Sequence, residues 1–128
     1  MDKVFLVGIG GFIGASLRYL VSNQVNRLMT HSMFPYGTLF VNILGCFLLG
    51  FGLTFAKESG ILSENTKLIL FTGLLGGFTT YSTFGVESFD LFKNGIVPSG
   101  FINLITHIVL GLIAVWIGYF VALKIKLF

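Results

Sequence analysis

Apolar positions fall in four long runs along the chain, at about 4–26, 35–56, 65–92 and 98–123, and polar positions collect mainly between them. At 1.5 Å of rise per residue, each run is long enough to cross a ~30 Å hydrocarbon core as a helix. The stretches between them are short. In "KESGILSEN", residues 57–65, Gly60 reads as a helix stop and Ser63 as the next start, and "KNGIVPS", 93–99, holds a second turn. No repeat of 20 to 50 residues and no low-complexity tract interrupts the pattern. The expected fold is an all-α integral membrane protein: one transmembrane domain over 1–128, with four helices.

The third run departs from an ordinary span. Between Lys67 and Glu87 no residue is charged, yet the middle holds Gly76, Gly77, Thr79, Thr80, Ser82 and Thr83. As one helix, 65–92 would be about 42 Å long, longer than the hydrocarbon core. A break near 76–83, opening at Gly76–Gly77, resolves the excess into two half-helices. Thr79, Thr80 or Ser82 would then cap the second half. Its free N–H groups and positive dipole end would lie near the midplane, facing the free carbonyls of the first half. Irregular backbone at that depth survives only where it lines a cavity or is buried in protein, and paired helix ends of this kind hold anions and cations respectively. The pattern therefore points to an ion or substrate pathway, against the plainer reading of a kink healed by hydroxyl side chains.

Composition sharpens this. The chain is 55% hydrophobic and only 10% charged, with a mean hydropathy of +0.94, whereas soluble domains carry about a quarter charged residues. The net charge of +3 suits loops facing anionic headgroups, and the basic residues form no cluster that would suggest a nucleic-acid partner. Cys46 is the single cysteine and reads as small core filler. Arg18 interrupts the first run, so that run is not a cleavable signal peptide. Gly10 and Gly14 form a GxxxG step beside Gly11 and Ala15. Ala114, Gly118 and Ala122 recur four apart, with Gly111 near the same face. Both ladders read as close helix packing in lipid. "VFLVGIGGFIGA", 4–15, resembles a dinucleotide fingerprint only superficially, because no acidic residue lies between Asp2 and Glu58.

Few polar groups remain inside the runs. Arg18 is read either as snorkelling or structural pairing, or as part of an electropositive vestibule. Asn42 either pins two helices or lines a pathway. Asn103, Thr106 and His107 share a helical face, which reads as interhelical hydrogen bonding. Metal binding by His107 is disfavoured, since the only other histidine, His31, is expected in a loop.

With these residues in hand, "GGFIGASLRY" (10–19), "GTLFVNILGCFLLG" (37–50) and "TGLLGGFTTYSTFGVE" (72–87) together resemble the Fluc/CrcB family of fluoride channels over essentially the whole chain. The resemblance implies a fluoride-selective channel that exports fluoride passively across the bacterial inner membrane, not an enzyme. It implies an antiparallel dual-topology dimer with two pores at the subunit interface. It also implies a structural Na⁺ at the dimer centre, held by the backbone carbonyls of Gly76 and Thr79. Asn42 would hydrogen-bond fluoride, and the ring edges of Tyr81 and Phe84 would face it. Ser82 and Thr83 would line or support the pore, and Arg18 would stand at its vestibule. Tyr81 departs from the phenylalanine that many members carry there.

With the N-terminus inside the cell, Lys3, Lys57, Lys67, Lys124 and Lys126 face inward, against Arg27 and Lys93 outward. That is a mild bias. A homodimer is expected, with a heterodimer of oppositely oriented homologues as the other arrangement. The rival reading is an exporter like the small multidrug transporters, coupled to protons. That family depends on a glutamate in the first helix, where this chain has Arg18; Glu87 falls in the third run.

Overall fold

The computed structural model describes residues 2–29 and 32–126; His31, expected in a loop, lies outside the described residues. All regular structure among them is helical. Helix α1 is Asp2–Leu28 and α2 is Tyr36–Ser59. Helix α3 covers 64–78 in three parts. Glu64–Lys67 is α-helical, Leu68–Leu75 widens to π-helix, and Gly76–Phe78 closes with a last α turn. Helix α4 is Tyr81–Lys93 and α5 is Val97–Lys126. Four spans, 2–28, 36–59, 64–93 and 97–125, are long and apolar enough to cross a membrane.

The loop chemistry follows the residues. Gly60 ends α2 in the left-handed conformation (φ 65°), its N–H donating to the carbonyl of Ala56, a backbone geometry that costs glycine nothing. Ser63 opens α3, its hydroxyl accepting from the N–H of Thr66 at 3.2 Å.

The helices pack chiefly as two pairs, α1 on α3 and α2 on α5, with α4 against α5. Both contacts depend on small residues. At Gly14 a Cβ would run into the backbone of Leu74 and Phe78, and at Gly118 into the backbone of Phe47 and Phe51. Ala114 and Ala122 are buried on the same ladder. In lipid, where apolar side chains gain little by leaving the solvent, such backbone proximity is what holds helices together. Large apolar side chains such as Phe5, Phe12 and Trp116 point outward, as a lipid-facing surface requires.

The expected opening of the third run at Gly76–Gly77 needs correcting. Both glycines are helical, with Gly76 at φ −63°, ψ −38°. The residues that leave helical geometry are Thr79 (φ −86°, ψ 159°) and Thr80 (φ −151°, ψ 119°). Hydroxyl chemistry explains the position. A threonine side chain can replace the helical hydrogen bonds that an extended backbone gives up, and a glycine has nothing to replace them with.

Candidate functional site

Thr79 and Thr80 are the centre of the polar interior. Thr79 keeps one foot in α3: its N–H and its hydroxyl both donate to the carbonyl of Leu75, each at 3.1 Å. Thr80 turns away. Its N–H donates to Asn42 Oδ1 at 2.8 Å, and its carbonyl accepts from Asn42 Nδ2 at 3.0 Å. The Asn42 amide thus pairs with both backbone groups of Thr80, as a neighbouring strand would. Thr80 also caps α4, its Oγ1 accepting from the N–H of Thr83 at 3.3 Å and donating to Thr83 Oγ1 at 3.0 Å.

This wiring has a consequence for two carbonyls. In a continuous α-helix the N–H of Thr80 would bond the carbonyl of Gly76, and that of Thr83 the carbonyl of Thr79. Both donors are diverted, to Asn42 and to the Thr80 hydroxyl. Gly76 and Thr79 therefore lose those partners. The Thr79 carbonyl instead accepts from the Arg18 guanidinium at 3.2 Å. Arg18 has no carboxylate partner among the described residues; its partner is backbone.

Two cavities flank Thr80. One, about 290 Å³, is lined by Asn42, Cys46, Thr79, Tyr81, Phe84 and His107 among others. None of its lining side chains carries a fixed charge. The Tyr81 and Phe84 rings lie 5.7 Å apart at 59°. Phe84 is buried, whereas Tyr81 is 84% exposed. The other cavity, about 230 Å³, is lined by Arg18, Tyr19, Thr38 and Thr83. Thr80 lines both.

Similarity to known proteins falls on these same segments. Residues 5–119 match the family model described as "CrcB-like protein, Camphor Resistance (CrcB)". Curated relatives named fluoride-specific ion channel FluC match along nearly their full length. The protein from Dehalococcoides mccartyi is 44% identical over 126 residues, covering 98% of this chain and 96% of the relative. That from Clostridium perfringens is 46% identical over 121 residues (92% and 94%), and that from Parabacteroides distasonis 47% over 118 residues (92% and 91%). The chain belongs to the CrcB family.

In this CrcB chain, a multi-pass membrane protein by its four spans, the residues singled out from sequence divide between the cavities. Asn42, Tyr81 and Phe84 meet at the first; Arg18 and Thr83 meet at the second. Ser82 lines neither and is exposed, its Oγ 3.4 Å from Thr80 Oγ1. Arg18 is paired to backbone at part-buried depth, and Asn42 pins α2 to the turn while also lining a cavity. The shared polar face of α5 behaves differently from expectation. Thr106 donates within its own helix, to Ile102 and Asn103 carbonyls, and His107 Nδ1 bonds the Asn103 carbonyl. Only Asn103 crosses between helices, donating to Ser88 Oγ on α4 at 2.9 Å.

Sequence reasoning understated three positions in this CrcB chain. Thr80 was one cap candidate among three, and is the residue both cavities share. Cys46, one turn after Asn42, is only part-buried and lines the first cavity. Glu87 accepts from Thr38 Oγ1 at 2.7 Å, joining α4 to α2. The i, i+4 spacings Thr38–Asn42–Cys46 and Asn103–His107 were the available signal.

Proposed function

We propose that this chain is a subunit of a fluoride-specific channel in the bacterial inner membrane that lets fluoride leave the cell passively. One observation carries the reading: an uncharged cavity where the amide of Asn42 and the rings of Tyr81 and Phe84 converge on the Thr79–Thr80 turn. Aromatic rings are positive at their edges, and an amide N–H donates without a full charge. Conduction needs an ion to bind well enough to enter and weakly enough to leave. A lysine or arginine in the cavity wall would hold fluoride too long. Arg18 sits behind the turn instead, where its charge raises the local potential without touching the cavity. The N-terminus of α4, next to Tyr81, adds a positive dipole end.

The same reading makes 79–80 the membrane-embedded break between half-helices and makes the working unit a dual-topology antiparallel dimer, either of identical subunits or with an oppositely oriented homologue. Tyr81 supports this, being mostly exposed in the single chain although it belongs to the cavity wall. A second subunit would supply the missing wall. The carbonyls of Gly76 and Thr79, released from their helical partners, fit the oxygen donors that a hard cation such as Na⁺ takes. Two subunits would bring four of them together at a two-fold axis. Na⁺ there would supply positive potential at the centre of the dimer. The exporter reading is weaker, because α1 has no acidic residue beyond Asp2 at its end.

The test is anion efflux from liposomes holding the purified protein. Fluoride released while chloride is retained is the expected result. Chloride released equally, or no release of either ion, would remove the function.

A further inference from the structure

Phe84 stands in the first turn of α4, in the wall of the uncharged cavity. Two grips on it lead back to one residue of α5. The first is on its backbone. Ser88 Oγ donates to the Phe84 carbonyl at 2.8 Å. That uses the only hydroxyl proton, so toward α5 the same oxygen can only accept. Asn103 Nδ2 donates to it at 2.9 Å. The second grip is on the ring. His107 Nδ1 lies 3.0 Å from the carbonyl oxygen of Asn103, and a carbonyl only accepts, so Nδ1 is the donor. The imidazole held in this way has its centroid 4.2 Å from that of Phe84. Asn103 therefore reaches Phe84 through its side chain and through its carbonyl.

Phe84 and Ser88 are buried, and Asn103 is 0% exposed. Asn103 Oδ1 is buried as well and has no hydrogen-bond partner in the chain. A buried acceptor left unpaired is destabilising, so an apolar side chain would serve plain helix packing better. What the amide does that an apolar residue could not is donate to Ser88. Neither Asn103 nor Ser88 lines the cavities beside Thr80, so neither meets an ion there.

We propose that Asn103 and Ser88 are positioning residues that aim the Phe84 ring at the cavity. The bond from α5 to the Phe84–Ser88 turn fixes how far α4 is rotated about its own axis. A side chain lies about 5–6 Å from that axis, so a rotation of roughly 10° carries the ring by about 1 Å. Functional groups have to be held to within about 0.5 Å. This rests on the channel reading and extends it from the residues that would meet the ion to the buried pair that holds one of them.

The experiment is fluoride efflux from liposomes, counted per assembled protein, beside the unfolding temperature in detergent. Ser88→Ala and Asn103→Leu should each lower efflux by roughly fivefold, the rate equivalent of one ordinary hydrogen bond. Ser88→Ala should also unfold earlier, because it leaves Asn103 Nδ2 buried without an acceptor. Ser88→Ala combined with Asn103→Leu removes both partners and leaves neither group unsatisfied. That double variant should unfold near the wild-type temperature and still conduct slowly. Flux recovering together with stability in the double variant would make the link ordinary helix glue and overturn the proposal. Wild-type flux from Ser88→Ala would overturn it too, even where Asn103→Leu does not assemble. Either result defeats this inference alone, whereas no fluoride efflux from the wild-type protein defeats the channel reading with it.

Discussion

At the scale of single residues, the structure separates groups that shape the cavity from groups that hold the turn. Phe84 shapes it. Its ring is buried between Tyr81 and His107, so Phe84→Ile removes a ring edge and two aromatic contacts, each worth about 0.5–1.5 kcal/mol. Fluoride efflux should fall sharply while size-exclusion still shows the assembled protein; wild-type flux from that variant would take Phe84 out of the pathway. Tyr81→Phe keeps the ring and deletes an exposed hydroxyl, and should change efflux less than about twofold. Asn42 holds the turn as well as lining the cavity. Asn42→Asp can still accept from the Thr80 N–H but cannot donate to its carbonyl. It leaves two acceptors facing each other at a cost of about 1–3 kcal/mol and, on the proposed function, puts an anion in an anion route. Both lower thermal stability and lost efflux are expected. A variant of wild-type stability that conducts normally would contradict the paired geometry. These residues were legible from sequence because lipid leaves so few polar groups in a span. The division of labour among them was not legible. It depends on which backbone groups the turn exposes, and that is a matter of three-dimensional register between α2 and residues 79–80.

At the scale of elements, the four spans were readable because length and hydropathy decide them. The turn was placed three residues early, because glycine is the strongest sequence signal for irregular backbone and here serves helix contact instead. Gly77 shows this. A Cβ there would lie 2.8 Å from the carbonyl oxygen of Gly11 on α1, backbone against backbone. Gly76 is different: the nearest atom to its Cβ would be the Phe71 carbonyl oxygen at 3.6 Å, an ordinary contact. Gly77→Ala should therefore cost about 1–3 kcal/mol, the range for overpacking, seen as a lower unfolding temperature in detergent. Gly76→Ala should cost the single chain nothing and gain up to about 1 kcal/mol of helix propensity. Equal destabilisation by the two would mean that α1 and α3 do not meet as described.

At the scale of the whole molecule, that asymmetry becomes a probe of assembly. Because a Cβ at Gly76 would make only one ordinary contact within the chain, harm well beyond the helix-propensity cost of a β-branched residue would come from outside the chain, through a second subunit or an ion. On the proposed function it comes through both, since the Gly76 carbonyl and the remaining lone pair of the Thr79 carbonyl, whose other partner is Arg18, would meet their symmetry mates around Na⁺. A ligand that binds only the folded assembly stabilises it by RT ln(1 + [L]/Kd), about 2.7 kcal/mol at a hundredfold excess over Kd. Wild-type protein should then unfold at a higher temperature in sodium than in choline salts of equal ionic strength, and chemical cross-linking should trap a dimer. Gly76→Val should remove the sodium dependence and weaken the cross-linked band, while the spectroscopic helix content of the chain stays at the wild-type level. A wild-type protein indifferent to sodium would sink the central cation. A Gly76→Val protein that keeps both the sodium response and the dimer would place Gly76 against lipid, and the two-fold axis would have to pass elsewhere.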